Sequence, residues 1–148
     1  MYNKILLPTD GSENAARAGE HAIWIAEASG ADILILYMVE PYYPQISALP
    51  HFSEELYDEV REEGKNIVES LKKELELIQN NRAGRRLKLT TKIKEGRAYL
   101  EIIKSIKDEN IDLIVLGASG RHDLDRFMLG SVSERVIREA SCPVLVVH

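Results

Sequence analysis

The chain has 148 residues, of which 45% are hydrophobic and 29% charged, and this composition suits one folded domain with a substantial core. Its net charge of -5 argues against a basic surface that binds nucleic acid, and its apolar runs are far shorter than the roughly 20 residues that span a bilayer. The single cysteine, Cys142, cannot form an internal disulfide, and we recognise no signal peptide, so we expect a cytoplasmic location.

The first part of the chain predicts a strand, a helix and a second strand. Residues 4–8 (KILLP) form a short apolar run that ends at a proline, which is typical of a buried strand. Ser12 suits the N-cap of a helix over Glu13–Ser29, and Gly30 suits its end. Asp32–Val39 (DILILYMV) then predicts a second buried strand.

Three prolines predict a loop over residues 40–52, followed by a longer helix. Ser53 is predicted to cap that helix, with Glu54 and Glu55 in its first turn. Its apolar stripe has helical spacing and consists of Leu56, Val60, Ile67, Leu71, Leu75 and Ile78.

The polar residues 80–86 predict a loop, and the alternation in residues 87–93 predicts a strand with one wet face or at a sheet edge. Residues 98–109 predict a third helix, which turns Ile102, Ile103 and Ile106 inward.

The last part of the chain predicts a strand, a polar segment, a helix and a final strand. Residues 112–116 (DLIVL) form a buried strand, and the polar segment after it ends at Gly130. Residues 131–140 predict the fourth helix, and residues 143–147 (PVLVV) predict the last strand, at an edge of the sheet.

Alternating strands and helices predict an α/β fold in which an open, mainly parallel five-stranded sheet carries helices on both faces, as in Rossmann-like proteins. We expect one such domain over residues 1–148, with Trp24 and the apolar stripes in its core. Ligands of these sheets bind beyond the carboxyl ends of the strands, where the strand order reverses. The ends of the first and fourth strands, residues 8–12 and 117–130, are rich in Gly, Ser, Thr and Asp.

The segment after the fourth strand has the character of an anion site. Gly117, Gly120 and Gly130 allow a close backbone approach or a positive φ, and the helix after Gly130 begins with N–H groups that lack intrahelical partners. The pattern Ser131-Val132-Ser133-Glu134 also fits a capping box, in which Ser131 merely caps its helix. The residues by themselves leave both interpretations open.

Three segments together resemble the universal stress protein family. The spacing Gly117-x2-Gly120-x9-Gly130-Ser131 matches the ATP-binding motif of that family. Residues 4–12 (KILLPTDGS) are similar to its first strand and turn, and residues 142–147 (CPVLVV) are similar to its last strand. The resemblance covers the whole chain and implies that it binds ATP.

The resemblance also implies roles for residues at the first two strands. Asp10, together with Pro8 and Thr9, is expected beside the ribose and the phosphates. The backbone of Val39, at the end of the second strand, is expected to meet the adenine.

Further roles are implied around the glycine motif. Gly117 and Gly120 are expected along the ribose and phosphate path, and Gly130, Ser131 and Val132 are expected to hold the phosphates. The complete set implied for the nucleotide site is Pro8, Thr9, Asp10, Val39, Leu116, Gly117, Gly120, Arg121, His122, Gly130, Ser131, Val132 and Ser133.

Three functions are compatible with these features. The first is an ATP-binding regulator that acts as a nucleotide-dependent switch in the stress response, an idea that comes from the resemblance alone. The second is a slow ATPase or nucleotide hydrolase, which ranks lower because the chain has no Walker-type lysine motif and offers no catalytic residue. The third is a non-catalytic oligomerisation module.

The expected cofactor is ATP, with any Mg²⁺ or Mn²⁺ carried on its phosphates, because the chain has no HxxxH or CxxC spacing for a metal site of its own. The expected partner is a second copy of the chain. The all-apolar run at residues 143–147 would be an exposed sheet edge in a monomer, and family members commonly form homodimers through this strand.

Overall fold

The computed structural model describes residues 1–40, 50–118 and 129–148, except for the side chains of residues 50–53. In this part of the chain, strands and helices alternate in the predicted order. They are β1 (Lys4–Thr9), α1 (Glu13–Ser29), β2 (Asp32–Val39), α2 (Pro50–Asn80), β3 (Leu89–Glu95), α3 (Ala98–Asp108), β4 (Leu113–Gly117), α4 (Ser131–Glu139) and β5 (Val144–Val147).

The five strands form one parallel sheet in the order β3-β2-β1-β4-β5, which confirms the predicted fold class. The strand order reverses between β1 and β4. These two strands pair at Ile5 and Leu6 of β1. Beyond the paired residues, β1 continues to Thr9 and β4 continues to Gly117. Their carboxyl ends therefore form the edge at which such sheets bind ligands.

Each face of the sheet carries two helices and its own apolar core. On one face, α1 and α2 cover β-strand residues such as Leu7 and Ile35. On the other face, α3 and α4 cover residues such as Leu6 and Leu36. Because neighbouring residues of a strand point to opposite faces, a strand covered on both faces is apolar along its covered length, as β2 is from Ile33 to Val39.

The ends of α1 follow local chemistry, as predicted. The Ser12 hydroxyl accepts a hydrogen bond from the Ala15 N–H at 3.2 Å, and Gly30 ends the helix in the left-handed region with φ 76°. Trp24 of this helix, by contrast, was wrongly assigned to the core. Its side chain is 66% exposed, because it lies on the face of α1 opposite the buried alanines.

The start of α2 differs from the prediction. The helix begins at Pro50, so residues 50–52 are not loop and Ser53 is not the N-cap. Proline suits the first helical position because its missing N–H would have no intrahelical partner there. The remainder of the predicted loop, residues 41–49, lies outside the described residues.

The N-terminus of α3 is stabilised from a distant part of the chain. The N-cap residue Arg97 makes no side-chain capping bond, and the Ala98 N–H instead donates to Glu40 Oε1 at 2.9 Å. The acidic residue after β2 thereby caps the helix after β3, close to the carboxyl edge of the sheet.

β3 and β5 are the edge strands of the sheet. An edge position was predicted for residues 143–147, and for residues 87–93 it was one of two alternatives, the other being one wet face. β3 begins two residues later than predicted and ends at Glu95. No helix in the described ranges is both long and apolar enough to cross a membrane.

Candidate functional site

The turn after β1 is held by its own side chains. The Gly11 N–H donates to Thr9 Oγ1 at 3.2 Å, and the Ser12 N–H donates to Asp10 Oδ1 at 2.9 Å. Thr9 is buried, whereas Pro8 and Asp10 are partly exposed. The predicted residues Pro8, Thr9 and Asp10 thus lie at the carboxyl end of the central strand, and a hydrogen bond of the Asp10 carboxylate helps to shape the turn.

β4 ends against the first turn of α1. Gly117 is partly exposed, and a Cβ atom at its position would lie 3.0 Å from the Asn14 carbonyl carbon and 3.2 Å from the Ala15 nitrogen. The close backbone approach that requires glycine at position 117 is therefore an approach to α1. The preceding residue, Leu116, is only 4% exposed and belongs to the core on the α3 and α4 face.

The chain returns to the end of β4 at Gly130. The Gly130 N–H donates to the Ala118 carbonyl at 2.7 Å, and the Ala118 N–H donates to the Val147 carbonyl of β5 at 2.8 Å. The Ser133 hydroxyl donates to the Gly117 carbonyl at 2.8 Å. The start of α4 is thus bonded to the end of β4, which Ala118 in turn joins to β5, and the first and last glycines of the motif lie close together.

The N-terminus of α4 lacks a side-chain cap. Gly130 is the N-cap, and Ser131 is the first helical residue, so the capping-box interpretation of Ser131 was wrong. Gly130 has φ -62° and ψ 154°, an extended conformation open to any residue. Of the two roles predicted for this glycine, a close backbone approach or a positive φ, the second is therefore absent. Ser131 and Val132 are exposed, and the first N–H groups of the helix have no intrahelical acceptors.

Val39 lies at the end of β2, on the other side of β1 from β4, and is 1% exposed. Its carbonyl accepts a hydrogen bond from the Gly96 N–H at 3.0 Å, which ties β2 to the segment before α3. Val39 thus shares the carboxyl edge of the sheet with the β1 turn. The remaining predicted site residues, Gly120, Arg121 and His122, lie outside the described residues.

A cavity of about 680 Å³ opens beside the β1 turn, between α1 and α2. It shares Thr9, Gly11 and Ser12 with the turn, but its α2 wall carries several carboxylates, namely Glu59, Glu62, Glu63 and Glu74. These negative charges repel phosphates, so this cavity and the anion-binding end of α4 differ in character. This cavity is not predicted from the sequence. The signal for it is the position of the glutamates on the face of α2 that also carries Ile67 and Leu71.

Comparison with known proteins gives the family. The model described as the universal stress protein family matches residues 1–148. Universal stress protein MJ0531 of Methanocaldococcus jannaschii is 38% identical over 148 residues, which cover 99% of this chain and 82% of the relative. The solved structure of MJ0577 from the same organism has a TM-score of 0.82 and 36% identity, covering 99% of this chain and 96% of that one.

Two more distant structures that share the fold are complexes with adenine nucleotides. One is a universal stress protein in complex with cAMP, with a TM-score of 0.67, 24% identity and coverage of 99% and 97% of the two chains. The other is the Arabidopsis thaliana family protein At3g01520 with AMP bound, with a TM-score of 0.67, 20% identity and coverage of 98% and 90%. From the full-length family match and the 38% identical relative, we conclude that this chain belongs to the universal stress protein family.

Proposed function

We propose that the protein is a cytoplasmic regulator that binds ATP at the carboxyl ends of β1 and β4 and acts as a nucleotide-dependent switch in the stress response. The observation that carries the proposal is the junction of Gly117, Gly130 and the uncapped N-terminus of α4. This junction lies at the reversal of strand order, beside the β1 turn.

The chemistry of α4 favours an anion. Its first N–H groups lack intrahelical acceptors, its N-cap is a glycine without a side chain, and the helix dipole is positive at this end. A phosphate oxygen accepts hydrogen bonds from such groups, and each charge-assisted bond contributes about 1.5–3 kcal/mol. We assign the phosphates to the N–H groups of Ser131 and Val132 and to the Ser131 hydroxyl. The Gly130 N–H already donates to the Ala118 carbonyl, so the role left to Gly130 is to let the phosphates approach closely.

The nucleoside is assigned to the side of β1 that faces β2. Asp10 lies in the turn after β1 and is assigned to the ribose. Val39 lies at the end of the neighbouring strand, where its backbone would meet the adenine. Family members described with cAMP and AMP make adenine nucleotides the ligand class to test. A divalent cation, Mg²⁺ or Mn²⁺, would come with the phosphates.

The test is isothermal titration calorimetry of nucleotide-free protein with ATP, ADP, AMP, cAMP and GTP, with and without Mg²⁺. We expect the adenine nucleotides to bind, and we expect the affinity for GTP to be at least tenfold lower than that for ATP. A tenfold difference in affinity is on the order of one lost hydrogen bond to the base. An absence of binding by every adenine nucleotide would leave the oligomerisation module as the function.

A second measurement separates a switch from an enzyme. Steady-state phosphate release from bound ATP is expected to stay at the level of a no-protein control, because we assign no catalytic residue. Sustained release above that level would make the protein an ATPase and contradict the proposed regulatory role.

We further propose that two copies of the chain pair through β5. This strand lies at the edge of the sheet, and three of its four apolar side chains, Val144, Leu145 and Val146, are only partly buried in the single chain. Antiparallel pairing about a two-fold axis would satisfy the backbone groups of this edge and cover those side chains.

A further inference from the structure

Ser133 differs from the other residues assigned to the nucleotide site. It lies in the first turn of α4 and is 8% exposed, whereas its neighbours Ser131 and Val132 are exposed. Its hydroxyl lies 2.8 Å from the carbonyl oxygen of Gly117, a residue 16 positions earlier in the chain, at the end of β4.

The direction of this hydrogen bond follows from its chemistry. A carbonyl oxygen can only accept, so the single hydroxyl proton of Ser133 is directed to Gly117. Phosphate oxygens that carry the charge of a nucleotide also accept hydrogen bonds and offer no proton in return. With its proton engaged, the Ser133 hydroxyl cannot donate to a phosphate in this arrangement.

We propose that Ser133 is a positioning residue, which holds the N-terminus of α4 against the end of β4 so that the N–H groups of α4 point at the phosphates. This inference rests on the proposed nucleotide site and replaces the expectation that Ser133 touches the ligand. The Ser133 bond acts together with the bond from Gly130 to Ala118. These two contacts fix the position and orientation of the first turn of α4 relative to β4. Gly117 is itself held in the sheet by pairing with Val147 of β5 and lies close to Asn14 of α1, so it offers α4 a fixed point of attachment.

The decisive experiment compares Ser133→Ala with Ser105→Ala, using calorimetric titration of ATP and of adenosine. Ser105 is a matched control because it is also a buried helical serine, with a hydroxyl that donates to the Glu101 carbonyl of its own helix at 2.7 Å. We expect Ser133→Ala to weaken ATP roughly tenfold, the order of one hydrogen bond, and to change adenosine binding little, because adenosine has no phosphates. Ser105→Ala is expected to lower the melting temperature and leave both affinities unchanged.

Two further variants separate positioning from general stability. Ser133→Thr keeps the hydroxyl and is expected to bind ATP as the wild type does. Ser133→Cys is close in size but donates weakly, so it is expected to share the ATP defect, and it replaces the alanine variant if that variant fails to fold.

The outcomes distinguish this inference from the proposed function. A wild type that binds no adenine nucleotide would overturn the proposed function, and this inference with it. A wild type that binds ATP, together with a folded Ser133→Ala or Ser133→Cys variant of equal ATP affinity, would overturn the positioning role alone. Equal losses of ATP and adenosine affinity would also overturn it, because a general disturbance of the site would explain them.

Discussion

At the scale of single residues, positions 117 and 130 favour glycine for different reasons. Gly117 lies so close to Asn14 and Ala15 that a Cβ atom requires movement of the α1 backbone. Gly130 has an ordinary extended conformation, so the reason we assign to it is access of the proposed phosphates. A substitution at position 117 is therefore expected to lower the stability of the fold, and one at position 130 is expected to lower the affinity for ATP.

For Gly117→Ala we expect a loss of stability of about 1–3 kcal/mol, the usual cost of overpacking, because the new methyl group meets backbone atoms that cannot rotate away. Chemical denaturation of both proteins measures the change. Gly84→Ala is the control, since a Cβ there would meet the flexible side chain of Glu27 at 3.3 Å. Equal stability of Gly117→Ala and the wild type would contradict the close approach.

For Gly130→Val we expect retained structure and a large loss of ATP affinity, at least tenfold. Valine tolerates φ -62°, but its branched side chain would occupy the path of the phosphates. Circular dichroism checks the fold, and calorimetry measures ATP and adenosine. Adenosine binding should persist as an internal control. Unchanged ATP affinity in a folded variant would show that phosphates bind elsewhere.

At the scale of elements, Glu109 joins α3 to two strands. Its partly buried carboxylate pairs with Lys92 of β3 and, at 3.2 Å, with Lys4 of β1. The hydrogen bond from Lys92, with a smaller one from Lys4, holds the pKa of Glu109 below its ordinary value, although partial burial opposes the shift. The ion pairs thus connect the C-terminus of α3 to the amino end of β1 and to the middle of β3.

This arrangement predicts a pH dependence of stability. Because the pKa of Glu109 is lower in the folded protein than in the unfolded chain, the unfolded chain binds more protons below about pH 5. The contribution of Glu109 is therefore complete above that pH and is lost as pH falls through the lowered folded pKa. Asp112, whose pKa is also lowered through hydrogen bonds from Asn3 and Lys4 despite its burial, adds to the same trend.

We expect Glu109→Gln to be less stable than the wild type at neutral pH and to lose stability less steeply between about pH 5 and pH 3. Urea denaturation at a series of pH values measures both effects. Glu13→Gln is the control, because Glu13 is strongly exposed and pairs with Arg17 within α1. A slope identical to that of the wild type would rule out a role for the Glu109 carboxylate in acid stability.

At the scale of the whole molecule, the two edges of the sheet have different chemistry. β3 presents lysines and threonines at its edge, whereas β5 is apolar at every position. Lysine on an edge strand discourages pairing with a second chain. The contrast favours association through β5.

For Val146→Lys we expect conversion of a dimer to a monomer, because the variant adds a charge to the proposed apolar interface. Light scattering measures the molar mass at tens of micromolar, a range in which ordinary weak dimers persist. Thr91→Lys, which adds the same charge to the opposite edge, is expected to remain dimeric. A monomeric wild type at this concentration would contradict the dimer.

The sequence by itself was sufficient for the order of the elements, the fold class and the family. Each rests on local chemistry or on spacing along the chain. Ser12 caps α1 through a backbone N–H three residues away, and Gly30 ends the helix by its own conformation. The apolar strands and the spacing of the glycine motif can likewise be recognised along the chain. Gly117 and Gly130 of that motif are brought together at the expected edge of the sheet.

Only the tertiary structure decided the features that depend on distant partners. Glu40 caps α3 from 58 residues away, and the Ser133 hydroxyl bonds to the end of β4 and not to its own helix terminus. Trp24 is apolar yet exposed, because the helix face that is buried depends on which face meets the sheet. Local propensity cannot encode such pairings, since the free energy of each contact depends on two segments that become neighbours only when the chain has folded.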